Sequence, residues 1–222
     1  MKLFSLKKYL FLPLLFVCLL LTCSCQKKIR YLDYVSELRS NVFLAETEEF
    51  SLRIHSTEKE NPYAMDGIPK ETSVITEIFL TAPTGDQECI LSFSLLGREF
   101  GGDMSYDNVK AEYYYSCTLD SSKAKEIPCT LQYGDKKISL VAKSVLDESI
   151  LSAEKVLNAL QEEEKEFFLA LTDQYGFQGE IYVRLIYEDS AYYYVGVIDR
   201  NINVSAFLIN AKTGKILAKR QS

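Results

Sequence analysis

The chain has 222 residues, is 47% hydrophobic and carries a formal net charge of -6. This length and composition suit one large or two small folded domains with a sizeable core. The negative charge argues against a nucleic-acid partner. The single histidine, His55, excludes zinc sites that need two or three imidazoles, including the HExxH type.

The first 25 residues have the layout of a secretory signal. Three lysines give a cationic start, residues 9–21 are almost entirely apolar, and the segment ends in the small residues and thiols of Thr22 to Cys25. The apolar run is about 13 residues long, whereas a membrane-spanning helix needs about 20. The pattern therefore predicts a cleaved signal peptide over residues 1–24 rather than an uncleaved anchor.

The end of this segment resembles the lipobox of bacterial lipoproteins, in which a cysteine behind a small residue is lipidated and becomes the mature N-terminus. Cys25, behind Ser24, is the predicted lipidation site, and Cys23, behind Thr22, is the alternative. The resemblance implies a diacylglyceryl anchor and a palmitate-type acyl chain at the extracytoplasmic face of the cell membrane. The chain is also similar to small lipoproteins of Gram-positive anaerobes, a likeness that implies no particular activity.

Cleavage before Cys25 would leave 198 residues and, because three lysines are lost, would change the net charge from -6 to -9. Residues 25–41 are predicted to form a basic tether and a short helix. The helix is predicted because Leu32, Val35, Leu38 and Val42 follow a roughly helical period. The tether cations would lie near the headgroups, where each contributes about 1 kcal/mol on an anionic surface.

Residues 42–146 predict an antiparallel β domain, either sandwich-like or a curled sheet. Phe50, Leu52 and Ile54 alternate with polar residues, which indicates a strand with one wet face and places His55 on that face. Further strands are predicted at residues 74–81, 88–95, 109–119, 127–132 and 137–145. No helical segment interrupts them, which favours antiparallel pairing.

Three cysteines lie in the predicted exported part, where disulfides are permitted. If Leu119 and Ile127 face each other across a hairpin loop, so do Cys117 and Cys129, and a cross-strand disulfide is possible. A register slip of one residue would put the two thiols on opposite faces. Cys89 lies in an apolar run and is predicted to be a buried, small hydrophobic residue.

Residues 147–222 predict a helix followed by a four-stranded antiparallel meander, so the fold class of the chain is α+β. Asp147 or Ser149 can cap the helix, and Tyr175-Gly176 ends it. The four strands are predicted at residues 181–187, 192–199, 204–210 and 215–219. The helix is expected to cover the apolar face of this sheet.

The last three of these strands resemble the closing strands of PepSY-type domains. The likeness rests on residues 193–197 and 206–217, with Asn210, Thr213 and Gly214 at the hairpin turn. It implies a module of secreted and envelope proteins, some of which inhibit or regulate proteases. This chain has Asn210 where many such domains have aspartate.

No catalytic motif stands out, and no catalytic residue, metal or cofactor is predicted: G-x-S-x-G, P-loop and G-x-G-x-x-G patterns do not occur. Tyr113, Tyr115, Tyr192 and Tyr194 form the candidate binding surface, because tyrosine suits peptide and carbohydrate contacts, although it is also a good strand residue. We expect a non-enzymatic module that binds an envelope protein, peptide or wall polymer. The alternative is an envelope-directed hydrolase that uses carboxylates or a cysteine, such as Cys89 with His55.

Overall fold

A computed structural model describes residues 29–221, and within that range residues 31–221 form one compact unit. The described part contains a short 3-10 turn at Tyr31–Tyr34, fifteen strands and two helices. The strands are β1 (Val35–Glu46), β2 (Ser51–Glu60), β3 (Thr72–Thr81), β4 (Cys89–Leu95), β5 (Arg98–Asp103), β6 (Ser105–Asp107), β7 (Glu112–Cys117), β8 (Glu126–Tyr133), β9 (Lys136–Ser144), β10 (Thr172–Asp173), β11 (Gly176–Phe177), β12 (Gly179–Tyr187), β13 (Ala191–Asp199), β14 (Val204–Asn210) and β15 (Ile216–Gln221). The helices are α1 (Ala153–Glu163) and α2 (Lys165–Ala170).

The first nine strands form a curled sheet in the order β5-β4-β8-β9-β1-β2-β3-β7-β6. The two end strands, β5 and β6, are separated in the chain by Met104 alone, so the sheet must curl to bring its ends together. The Met104 N–H donates to the carbonyl of Cys89 on β4 at 2.8 Å. Phe43, Leu52, Ile54, Leu91 and Leu131 are among the fully buried residues of its core. The predicted curled sheet is therefore confirmed.

Strands β12 to β15 form the predicted antiparallel meander, with α1 and α2 packed on one of its faces. The helices bury their apolar stripe, which consists of Val156, Leu157, Leu160 and Phe168. Ser152, rather than Asp147 or Ser149, caps α1 by accepting a hydrogen bond from the Lys155 N–H. The α+β class and the helix-plus-meander order are confirmed.

Strand β1 joins the two parts of the sheet. Along one edge it pairs with β2. Along the other edge it pairs in parallel with β12 over residues 35–39, and then with β9 at Phe43 and Leu44. The short α-helix predicted within residues 25–41 is wrong, because only a 3-10 turn forms at Tyr31–Tyr34 and the chain continues directly into β1. The predicted boundary between residues 146 and 147 falls within one compact unit whose sheet is continuous through β1.

We call the side of the sheet opposite its packed core the outer face. Residues directly opposite each other on paired strands share a face, and the register places Arg184 beside Arg39, Tyr182 beside Glu37, and His55 beside Glu77. Phe79 lies between Arg53 and Tyr114 in the same way. The outer face therefore carries charged and aromatic side chains, of which Glu37, His55 and Tyr182 are buried.

Candidate functional site

A groove of about 360 Å³ opens on the outer face where β1, β2 and β3 approach the end of β12. It is lined by charged, aromatic and aliphatic side chains, namely Arg39, Val42, Arg53, His55, Phe79, Lys110, Glu112, Ile186, Tyr187 and Glu188. A neighbouring groove of about 350 Å³ shares Phe79, Lys110 and Glu112 with it and adds Tyr114. We call the first of these the Arg39 groove.

A buried ion pair borders the Arg39 groove. The Arg184 guanidinium donates from Nε and Nη2 to the two carboxylate oxygens of Glu37 at 2.7 and 2.6 Å. Burial raises the Glu37 pKa, but hydrogen bonds and charge from Arg184 outweigh burial, so that the pKa lies below its ordinary value. Arg184 also lies over the Tyr182 ring at 4.7 Å. The Arg184 guanidinium therefore already has its anionic and aromatic partners within the protein.

Two further cations of the outer face also have partners. Lys59 Nζ lies 2.8 Å from a Glu77 carboxylate oxygen. Arg53 lies 3.3 Å from Glu112 and its guanidinium stands 5.2 Å from the centre of the Phe79 ring. Each of these charges is therefore balanced locally.

Arg39 differs from these three cations. Among residues 29–221, no side chain forms a hydrogen bond or an ion pair with it, and its Nε is buried without a partner. Burial lowers the Arg39 pKa, although the negative charges of Glu37 and Glu77 partly offset this by raising it. An arginine stays protonated at neutral pH in spite of such shifts. The groove therefore contains a positive charge that no neighbouring carboxylate binds directly.

His55 lines the same groove and is 6% exposed, which corrects the expectation of a histidine on a wet face. Its ring packs 5.0 Å from that of Phe79, and its Nδ1 is buried without a hydrogen-bonding partner. Burial, together with the charges of Arg39, Arg53 and Lys59, lowers the His55 pKa to about 2. The imidazole is therefore neutral at physiological pH, and it is poorly suited to carry a proton in catalysis.

The four tyrosines of the predicted binding surface do not meet. Tyr113 is 2% exposed and belongs to the core, so it is not part of a binding surface. Tyr115 is half-buried on the same side of β7 and donates from its hydroxyl to the Gly101 carbonyl at 3.1 Å. Tyr192 and Tyr194 are half-buried on the outer face of β13, where the Tyr194 and Tyr182 rings are 5.8 Å apart. A ligand-binding role for the last three stays a prediction.

The cysteines occupy separate strands. Cys117 lies on β7, which pairs with β3 and β6, whereas Cys129 lies on β8, which pairs with β4 and β9. The expected hairpin between them does not form, and both thiols are free. Burial raises the pKa of Cys89 to about 11 and that of Cys129 to about 12, which disfavours the nucleophilic thiolate. Cys89 is also part of the core, on the opposite side of the sheet from His55.

The predicted signal peptide and the lipidation sites Cys25 and Cys23 lie outside the described residues. Among residues 29–221, neither helix is long and apolar enough to cross a membrane. The same part of the chain contains no group of three His, Cys, Asp or Glu side chains arranged to hold a metal ion.

Comparison of the chain with protein-family models, with curated proteins and with solved structures gave no match. The resemblances to lipoproteins and to PepSY-type domains therefore stay predictions. At the hairpin that carries the second resemblance, the Asn210 side chain accepts hydrogen bonds from the N–H groups of Lys212 and Thr213, both at 3.0 Å. Gly214 follows with a positive φ of 73°, which suits such a turn in any protein.

Sequence reasoning missed the central residues of the groove. The apolar spacing predicts a helix at Arg39 and an open wet face at His55, and nothing in the local pattern brings β12 beside them. Tyr114 could have been found, because alternation along β7 places it opposite Tyr113 and Tyr115 and therefore on the outer face.

Proposed function

We propose that this protein is a lipid-anchored extracytoplasmic envelope protein and that it binds a protein, peptide or wall polymer through its outer face. The observation that carries the binding function is the Arg39 groove, an open depression where charged side chains surround the Phe79 ring. Arginine and aromatic side chains are enriched at protein interfaces, because they combine a large contact area with directional polar contacts.

The distribution of the helices supports the same choice of face. In the meander, the helices and the segment before α1 cover the side that carries Phe207 and Tyr193. Phe167 of α2 contacts the Phe207 ring, and the Tyr193 hydroxyl donates to the Leu151 carbonyl, two residues before α1. The opposite side carries Tyr182, Arg184 and Tyr194. The loop after β2 covers part of this side, because Tyr63 approaches Arg184 to 3.4 Å and the Gly67 N–H donates to Glu180. The open part of the outer face is therefore the two neighbouring grooves, which extend from the end of β12 to Tyr114 on β7.

Support for the anchor comes from the sequence. A cationic start, an apolar run and Ser24-Cys25 precede the folded unit, and the basic residues Lys27, Lys28 and Arg30 follow the cysteine directly. A diacylated cysteine with adjacent basic residues gives two membrane-binding signals, which is the combination that stable anchoring needs.

Site-specific photo-crosslinking in intact cells tests the binding function. A benzophenone amino acid replaces Tyr114 or Tyr194 on the outer face, and in the control it replaces Tyr175, an exposed residue on the turn between β10 and β11. We expect a discrete crosslinked product from the outer-face positions and none from Tyr175. Equal products from all three positions, or no product from Tyr114 and Tyr194, would contradict the proposal.

Mass spectrometry of the mature N-terminal peptide tests the anchor. We expect diacylglyceryl-modified Cys25 as the first residue, and we expect Cys25→Ala to prevent both processing and membrane retention, whereas Cys23→Ala permits both. An unmodified Cys25 or an intact Met1 in the wild-type protein would refute the anchor and leave the crosslinking result to be judged separately.

A further inference from the structure

The proposed binding function can be taken one step further, to the chemistry of what the groove holds. We propose that the Arg39 groove binds a carboxylate group joined to a small apolar portion, with Arg39 as the binding cation. This inference rests on the proposed binding function and names the ligand class of the same face.

The first step concerns charge. Arg184, Lys59 and Arg53 are bound by Glu37, Glu77 and Glu112, respectively. Arg39 lies among them, and no carboxylate of residues 29–221 pairs with it within 4 Å. Glu37 and Glu77 act on Arg39 only through space. Arg184 binds both carboxylate oxygens of Glu37, and the oxygens of Glu77 accept from Lys59 and from the Thr57 hydroxyl. The planar guanidinium is therefore available to an external oxyanion, which it can bind through two parallel hydrogen bonds.

The second step concerns a buried polar atom. His55 is 6% exposed, lines the groove, and keeps Nδ1 buried without a partner. Buried polar atoms in folded proteins nearly always have a hydrogen-bonding partner, so an exception calls for an explanation, such as a water, an ion or a ligand. In the Nδ1–H tautomer the neutral imidazole is a donor, and a carboxylate held by Arg39 would supply the acceptor. Arg39 and His55 thus line the same groove, and each keeps a buried nitrogen without a partner among residues 29–221.

The third step concerns the apolar part of the ligand. Phe79 forms one wall of the groove, with its ring 5.0 Å from His55 and 5.2 Å from Tyr114. Val42 and Ile186 also line the depression. The volume of about 360 Å³ matches the lower range of small-molecule sites and admits one ring or short aliphatic group beside the carboxylate.

The acidic members of the groove limit the charge of the ligand. Glu112 is paired with Arg53, and Lys110 lies 4.0 Å from Asp107, whereas Glu188 lines the groove and adds a negative charge to it. A like charge nearby disfavours a second negative charge on the ligand. The groove should therefore prefer the single charge of a carboxylate over a phosphate dianion.

The single histidine makes the test direct, because His55 gives the only imidazole signal of the chain. The full-length protein, labelled with ¹³C-histidine and held in detergent micelles, is titrated with benzoylglycine while the imidazole resonance is followed by NMR. We expect a saturable shift. The neutral amide of benzoylglycine has the same apolar part and should cause none, and phenyl phosphate should bind more weakly than benzoylglycine.

Two variants assign the effect to Arg39. Arg39→Gln should weaken benzoylglycine binding by about 10- to 100-fold, the amount expected for hydrogen bonds to a charged group. The matched control is Arg220→Gln on β15, which removes an exposed arginine three strands away from β12 on the same sheet. It should leave the dissociation constant unchanged. Arg39→Lys keeps the charge and loses the planar fork, so it should bind several-fold more weakly than the wild type even if Arg39→Gln does not fold.

The outcomes separate the two proposals. A wild-type protein that gives no saturable shift, or binds the amide as well as the acid, overturns carboxylate recognition. Equal affinity in the wild type and both Arg39 variants, or tighter binding of phenyl phosphate, overturns it as well. If outer-face crosslinks persist under these conditions, only the ligand assignment fails and the binding function stands.

Discussion

Glu37 and Arg184 form an ion pair in which the Glu37 side chain is 7% exposed and that of Arg184 27%, so the buried carboxylate depends on its cation. We expect Arg184→Met to lower the free energy of unfolding by about 3 to 5 kcal/mol, because it leaves the buried Glu37 charge without its cation. Urea denaturation followed by circular dichroism measures this change.

The control for that measurement is an ion pair at the surface. Lys136 and Glu49 approach to 2.8 Å with side chains 60% and 53% exposed. We expect Lys136→Met to cost less than about 1 kcal/mol, since water and salt weaken exposed pairs. Similar losses of unfolding free energy in the two variants would show that burial does not make the Glu37–Arg184 pair more important for stability than an exposed pair.

His55 makes the stability of the protein depend on pH. Its pKa is about 2 in the folded protein and about 6.5 in an unfolded chain. The unfolded state therefore binds more protons below pH 6.5, and stability falls as the pH falls from 6.5 towards 2. Between pH 6 and pH 5 we expect the wild type to lose about 1 kcal/mol more than His55→Gln. Parallel urea denaturation at the two pH values measures the difference, and equal losses would refute a depressed His55 pKa.

At the scale of the elements, the contact between β12 and β13 depends on a missing side chain. The Tyr182 ring of β12 lies against Gly196 of β13, and a Cβ at residue 196 would stand 1.8 Å from Tyr182 Cζ. We expect Gly196→Ala to destabilise the protein by about 1 to 3 kcal/mol, because the ring must move and lose its position beside Arg184. Thermal or urea denaturation measures the loss.

A double-mutant cycle identifies the cause of that loss. In a Tyr182→Ala background the clash is absent, so Gly196→Ala should there cost less than about 0.5 kcal/mol, the usual scale for sites without a special contact. An equal cost in both backgrounds would place the strain in the backbone of β13 rather than in the tyrosine contact.

The elements also show where sequence patterns succeed and fail. The predicted strand at residues 192–199 differs from β13 by one residue, because regular alternation and the turns on either side define it. In β1, the register shifts between Val35 and Glu37 and again between Arg39 and Asn41. Each bulge adds a residue to the strand. The apolar residues of β1 therefore recur at three- and four-residue intervals, which imitate a helix.

The site could be predicted less well than the fold, because its residues are brought together by pairings that are distant in the sequence. Arg39 meets β12 through a parallel contact, and parallel strands need a long connection that leaves no local signature. The same reason explains why the hairpin predicted between Cys117 and Cys129 does not form. They are close in the sequence, but the strand of Cys117 pairs with β3 and that of Cys129 with β4, and no short-range pattern indicates these two pairings.

For the molecule as a whole, the shared strand predicts cooperative unfolding. Because β1 completes both the curled sheet and the meander, neither part keeps its full set of strands without the other. We expect peptide-resolved alkylation of the buried thiols Cys89 and Cys129 and the helical circular dichroism of α1 to change at the same urea concentration. Two separate midpoints would instead support independent domains that meet near residue 146.

The parallel contact of β1 also determines when the fold can be finished during synthesis. Glu37 and Arg184 are 147 residues apart in the chain. The ribosome therefore releases β1 among the first folded elements and β12 only after most of the chain has been made. During that interval one edge of β1 has backbone groups without their final partner, and such edges invite pairing with other chains. The nascent protein consequently benefits from being kept unfolded until its last quarter is available.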